Sequence, residues 1–153
     1  MTVDISGQRP ATVDIDALQE FVAATLEREG VPDDAELSIS FIGNEEIATL
    51  NEEHLGKSGP TDVLSFPIED FSNGIVDADP AGPPLMLGDV VICPAVVRAN
   101  ADASGVAFED EMALMVVHGI LHLLGSDHVI EAEAEAMELR EREILALVGR
   151  QRP

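Results

Sequence analysis

The chain has 153 residues, of which 46% are hydrophobic and 25% charged. These values fit one globular domain that needs no disulfide bond or structural metal ion for its stability. Thirty acidic residues against eight basic ones give a formal net charge of −22, which argues against broad, nonspecific binding to DNA or RNA because such proteins carry a basic surface. A single cysteine, no apolar run of roughly 18 residues and no secretory pattern in residues 1–5 together predict a cytoplasmic protein without a membrane partner.

Hydrophobic periodicity predicts the first four elements. Alternation at residues 3–5 indicates a short strand, and apolar residues at helical spacing over 15–26 predict a helix that ends before Gly30. Residues 37–41 alternate again and predict a second strand. A short helix follows, for which Asn44 is the expected N-cap.

The second half of the chain continues the mixture of strands and helices. We predict strands at 63–66 and 85–93, a surface loop at 69–84, and helices at 94–104, 108–124 and 130–148. Strict strand–helix alternation is missing. The sequence therefore predicts one α+β domain over residues 1–153, with a small mixed sheet of about four strands packed with helices.

Three of the four histidines lie close together, at His118, His122 and His128. The first two are four residues apart on the long apolar helix, which places them on one face with Cβ atoms about 5–6 Å apart. Gly125 suits the left-handed conformation that ends a helix, so the chain can turn and bring His128 back. Three imidazoles with one open position are typical of a catalytic zinc site rather than a closed structural one.

The spacing of this cluster is that of the metzincin proteases, but Gly119 occupies the position of their glutamate base. Glycine accepts no proton, so a peptidase function is the less favoured interpretation. Asp127, beside the third histidine, either orients an imidazole, assists proton transfer or is simply a turn residue.

Residues 118–128 resemble the H-G-x-L-H-L-x-G-x-D-H signature of the YbeY-type rRNA maturation factors. Residues 60–67, Pro-Thr-Asp-Val-Leu-Ser-Phe-Pro, and residues 87–92, Leu-Gly-Asp-Val-Val-Ile, are similar to two further blocks of that family. The resemblance covers about residues 37–145.

The resemblance implies a single-strand-specific, metal-dependent endoribonuclease that acts in 3′-end maturation of small-subunit (16S) rRNA and in ribosome quality control. It implies one Zn²⁺ held by the three histidines, with Asp127 as the candidate catalytic acid or base. Thr61, Asp62 and Ser65 would lie on a strand flanking the cleft as substrate-binding residues, and Asp89 would begin the neighbouring strand. The implied partners are rRNA, the small ribosomal subunit and ribosomal or assembly proteins, but not DNA.

One block departs from the family pattern. Many members carry an aromatic–arginine pair before the Pro-Thr-Asp-Val block, where this chain has His54 and Leu55. Loss of the arginine removes a bidentate phosphate donor, for which Lys57 and His54 are the available substitutes. The charge of −22 leaves two explanations for RNA binding: either basic residues gather on one face, or protein partners supply affinity.

Two other functions remain open at this point. The chain could be a non-catalytic ribosome-assembly factor with a structural zinc. It could also be a zinc hydrolase of another substrate, which a deep apolar pocket beside the metal would favour and an open groove would disfavour.

Overall fold

The computed structural model of the chain describes residues 1–68, 83–125, 131–150 and 152–153. Its elements are β1 (Thr2–Gly7), α1 (Ile15–Arg28), β2 (Glu36–Phe41), α2 (Asn44–Leu55), β3 (Val63–Pro67), β4 (Met86–Ile92), α3 (Pro94–Ser104), α4 (Phe108–Leu123) and α5 (Glu131–Ala146). None of the helices in this described part is long and apolar enough to cross a bilayer.

The four strands form one mixed sheet in the order β1-β2-β4-β3. Strands β1 and β2 are parallel, as are β2 and β4, whereas β3 runs antiparallel to β4 at the edge of the sheet. The predicted α+β fold class with a small mixed sheet of about four strands is confirmed. Of the predicted loop at 69–84, residues 69–82 lie outside the described residues.

Two groups of apolar side chains, one on each face of the sheet, hold the fold together. On one face, the alternating residues Leu37, Ile39 and Phe41 of β2 are buried in the large core that includes α1 and α4. On the other face, Ile47 of α2 packs with Leu64 in a smaller cluster. Helix α4 packs against β3, β4 and the helices α1, α3 and α5, so most of its residues are buried, which explains its largely apolar sequence.

A bulge in β4 fixes how closely the edge strand approaches. Glu36 pairs with Met86 and the next residue, Leu37, pairs with Gly88, so one residue of β4 is extra. Gly88 has a φ of +133°, and a Cβ there would lie 2.2 Å from the carbonyl oxygen of Phe66. Only glycine fits this position, and its presence lets β3 pair tightly with β4.

The N-cap predicted for α2 is wrong. The capping position is Gly43, without a side-chain hydrogen bond, and Asn44 is the first residue of the helix. The reason is a tertiary contact: the buried thiol of Cys93 donates to the Asn44 amide oxygen at 3.2 Å. Asp89, expected at the start of its strand, lies in the middle of β4, where its carboxylate accepts a hydrogen bond from the Ser38 hydroxyl.

Candidate metal centre and adjoining cleft

Helix α4 carries two of the predicted metal ligands. Its first turn contains three acids, which are favourable there because they face the positive end of the helix dipole. His118 and His122 are half-buried, whereas most of their neighbours on the helix are buried. The helix ends at Leu123, and Gly125 follows with a φ of +95°, as the sequence predicts for a turn after the helix.

Gly119 lets α4 lie directly on the sheet. A Cβ at this position would be 2.6 Å from Cγ1 of Val90 and 3.1 Å from Cγ2 of Val63. The Ser65 hydroxyl donates to the Gly119 carbonyl oxygen at 2.8 Å, which ties the helix to β3 beside the first histidine. The glycine is therefore a packing requirement, and a glutamate base of the protease kind has no room there.

The two imidazoles converge through the same nitrogen. His118 Nε2 and His122 Nε2 are 3.0 Å apart, and the ring planes make an angle of 68°. Two nitrogens at about 2.0–2.1 Å from one tetrahedral zinc ion are separated by about 3.3 Å. The distance thus fits two lone pairs directed at one cation, and it also fits an N–H···N hydrogen bond between the rings.

The third ligand cannot be placed in the same way. His128 and Asp127 lie outside the described residues, in the segment 126–130. Within the described ranges, no three histidine, cysteine, aspartate or glutamate side chains come together as a possible ligand set. The zinc site, His128 as its third ligand and the role of Asp127 therefore stay predictions.

Sequence reasoning missed one residue of this site, Glu141 on α5. Its carboxylate lies 3.1 Å from His118 Nδ1, and its side chain is 2% exposed. A signal was present in the sequence: Met137, Glu141 and Ile144 recur at helical spacing, so the acid occupies a core-facing position between apolar ones.

A cleft of about 420 Å³ adjoins the two imidazoles and is lined on one side by β3 and the residues before it. Thr61, Asp62 and Ser65 all line it. Only Ser65 lies on β3, whereas Thr61 and Asp62, expected on the same strand, precede it. Asp62 also has a local role, because its Oδ1 accepts hydrogen bonds from the Val63 amide at 2.8 Å and from the Thr61 hydroxyl at 3.3 Å. These bonds hold the start of β3 in a fixed position beside the cleft.

The opposite side of the cleft is formed by the end of α2 and the loop after it. Leu55 and Lys57 line the cleft there. Asn51 holds this loop, since its side-chain amide donates to the Gly59 carbonyl at 2.9 Å. His54 lies outside the set of lining side chains, and its ring packs edge-on against a cleft residue, Phe66, with centroids 4.9 Å apart.

Acidic groups lie near α4 on the side of the histidines. Glu111 precedes His118 by seven residues, or about two helical turns, and so shares its face. Burial raises the pKa of the Glu111 carboxyl above its ordinary value, and the Asp62 carboxylate raises it further, while Arg152 acts in the opposite direction. The site therefore already contains negative charge that a phosphate group must approach.

The basic residues are dispersed and do not gather at the cleft. Arg28 and Arg140 both pair with the Glu29 carboxylate, and burial, followed by repulsion from Arg28, lowers the pKa of Arg140. Arg150 pairs with an acid at the start of α4. Lys57 is the only lysine or arginine among the side chains that line the described cleft. The structure therefore does not favour a single basic RNA-binding face.

The chain is similar in sequence to one family of known proteins and similar in fold to a solved structure. The family model described as "Endoribonuclease YbeY" matches residues 7–149. Proteins named endoribonuclease YbeY from Acidothermus cellulolyticus and Bacillus subtilis are 44% and 38% identical to this chain, over 96% and 91% of it and 87% of each relative. A solution structure of a Thermotoga maritima protein superposes with a TM-score of 0.62 at 25% identity, covering 95% of this chain and 91% of that one.

Proposed function

Because the chain belongs to the endoribonuclease YbeY family, we propose that it is a zinc-dependent endoribonuclease. Its proposed substrate is single-stranded RNA, cleaved during 3′-end maturation and quality control of small-subunit rRNA in the cytoplasm. The observation that carries the metal part of this proposal is the 3.0 Å approach of the two Nε2 atoms, made at the wall of a cleft.

The proposed ligands are His118, His122 and His128. Imidazole nitrogens suit zinc, and the 3.0 Å between the described pair is close to the separation of about 3.3 Å between two nitrogens on one zinc ion. A zinc ion held there would polarise a phosphoryl oxygen and lower the pKa of a water molecule towards neutrality. Asp127, next to the third ligand in the sequence, is the proposed proton acceptor or donor.

The remaining cleft residues would hold the RNA strand. Thr61, before β3, and Ser65, on β3, present hydroxyl groups to the cleft, and Ser65 is already fixed by its bond to Gly119. Lys57 would supply a point charge to a phosphate from the opposite side. His54 lies beside Phe66 at the margin of the cleft, where its ring N–H would be a hydrogen-bond donor for a phosphate oxygen.

The polar lining of the cleft favours a polymer such as RNA over a small apolar molecule as the substrate. Its lining mixes hydroxyl, carboxylate, ammonium and imidazole groups, and Leu55 at its side is 55% exposed. A more apolar cavity of about 460 Å³, lined by residues such as Phe21, Phe108 and Met112, lies between α1 and α4 and includes neither imidazole. Among the residues that the structure describes, this apolar cavity is thus not beside the histidine pair, where a small-molecule hydrolase would be expected to have it.

Protein partners would supply most of the affinity for RNA. The net charge of −22 repels a phosphate backbone, and physiological salt screens charges only beyond about 8 Å. Several arginines are committed to ion pairs within the chain. We therefore expect weak cleavage of free RNA and stronger cleavage of RNA within small-subunit particles, where ribosomal or assembly proteins contact the enzyme.

Metal analysis combined with cleavage assays tests this proposal. We expect one zinc per chain in the wild-type protein and in the matched histidine control His54→Ala, and loss of zinc in His122→Ala. A chelator should abolish cleavage of both free RNA and small-subunit particles. Equal, chelator-insensitive cleavage of both substrates would contradict a zinc nuclease, and unfolding on zinc removal without any cleavage activity would indicate an assembly factor with a structural zinc.

A further inference from the structure

Glu141 is unusual because it is a charged residue inside the core. Among the described residues, Glu141 is the only buried residue with a charged side chain, and 1% of its surface is exposed. Its neighbours on the inner face of α5, Met137 and Ile144, belong to the apolar core. Transfer of an unpaired carboxylate into such surroundings is strongly unfavourable, so its partners must account for its position.

Both carboxylate oxygens have partners. Oε2 lies 3.1 Å from Nδ1 of His118, and Oε1 lies 3.4 Å from Nε of Arg152. Arg152 comes from the end of the chain and also approaches Glu138 at 3.8 Å. Glu141 therefore connects a residue of α4 to a residue beyond α5, and its orientation is set from two sides.

The bond to His118 has a chemical consequence. A neutral imidazole carries one proton, and a carboxylate next to Nδ1 keeps the proton on that nitrogen. The lone pair then belongs to Nε2, which is the atom that approaches Nε2 of His122 beside the cleft. Without the carboxylate, the ring would also adopt the tautomer with its proton on Nε2, and Nε2 would then have no lone pair to direct at a metal beside His122.

We propose that Glu141 is a positioning residue that fixes the tautomer and the ring orientation of His118 for metal binding, with Arg152 holding its carboxylate. This inference rests on the proposed function, because it concerns the same metal site. Removal of such a hydrogen-bond partner typically weakens metal binding by about 10- to 100-fold. A purely structural role of the buried carboxylate would change stability and leave metal affinity nearly unchanged.

The test compares three variants of the full chain by zinc affinity, measured in competition with a chromogenic chelator. Glu141→Ala should bind zinc about 10- to 100-fold more weakly than wild type. Glu141→Gln should lose less, since its amide oxygen still accepts from Nδ1 and its size is unchanged. Ile144→Ala, a buried truncation one turn along the same helix, is the control for destabilisation and should bind zinc nearly as wild type does.

Two-bond ¹H–¹⁵N NMR spectra of the zinc-free proteins give a second readout that does not depend on activity. His118 should carry its proton on Nδ1 in wild type and in Glu141→Gln, and should show both tautomers in Glu141→Ala. Unchanged zinc affinity and tautomer in Glu141→Ala would overturn the inference, as would equal weakening in Ile144→Ala. If wild type itself binds no zinc, the proposed function fails; if it binds zinc and only these differences are missing, the inference alone fails.

Discussion

Substitution of Gly119 by alanine would force α4 away from the sheet. The new Cβ would lie 2.6 Å from Cγ1 of Val90, about 1 Å closer than carbon atoms approach at their optimum. Val90 is fully buried and β-branched, so its side chain has little freedom to move, and the helix must shift instead. The shift would stretch the 2.8 Å bond from Ser65 to the Gly119 carbonyl and displace the adjacent His118.

The expected loss of stability is small and the expected loss of activity large. Alanine favours a helix over glycine by about 1 kcal/mol, and overpacking costs about 1–3 kcal/mol, so the net loss is about 0–2 kcal/mol. At about 2–4 °C per kcal/mol for a chain of this size, the Tm should fall by at most about 8 °C. A displacement of about 1 Å at a catalytic group can reduce the rate about 100-fold, and chelator-sensitive RNA cleavage should fall accordingly.

A second substitution, at Val90, tests whether the close contact with this side chain causes the loss of activity. Val90→Ala removes the methyl group that the new Cβ would strike, at a cost of about 1.5–3 kcal/mol for the lost burial. The double variant should therefore regain much of the cleavage activity that Gly119→Ala loses, even though it is less stable. Full activity in Gly119→Ala, or a double variant no more active than Gly119→Ala, would refute the account of the close approach.

Three further substitutions probe the cleft and the face of α4 that carries the two histidines. Asn51→Ala removes the bond to the Gly59 carbonyl, and urea unfolding should show a loss of about 1 kcal/mol together with a higher KM for RNA. Lys57→Gln should raise the KM for RNA and flatten its dependence on salt, whereas an unchanged salt dependence would show that this lysine does not approach phosphate. The pKa of the Glu111 carboxyl is raised, so the folded state binds its proton more tightly than the unfolded state does. The free energy of unfolding of the wild type should therefore fall as the pH rises from the ordinary carboxyl pKa through the raised pKa. Glu111→Gln should be more stable than wild type at neutral pH, and this advantage should vanish in acid.

Local patterns in the sequence predict the elements well because each depends on nearby residues. The alternation at residues 37–41 gives β2 with Leu37, Ile39 and Phe41 buried on one face. The apolar run after residue 108 gives α4, and Gly125 takes the positive φ expected of it. The spacing of His118 and His122 predicts a shared face, and the structure brings their Nε2 atoms together.

Features that depend on distant residues are not predicted. The strand order, with β4 between β2 and β3, is set by packing between segments far apart in sequence. Asn44 fails as a cap because Cys93, from a different part of the chain, occupies its amide oxygen. Glu141 lies 23 residues after the histidine that it contacts, and only its core-facing position on α5 indicates that it has a buried partner.

The most direct test of the central claim is anomalous diffraction at the zinc absorption edge from crystals of the zinc-loaded protein. The account predicts one peak, about 2.0–2.1 Å from Nε2 of His118 and of His122, with His128 as the third protein ligand and the fourth position facing the cleft. A peak elsewhere, ring nitrogens directed away from each other, or a fourth protein side chain bound to the ion would contradict it.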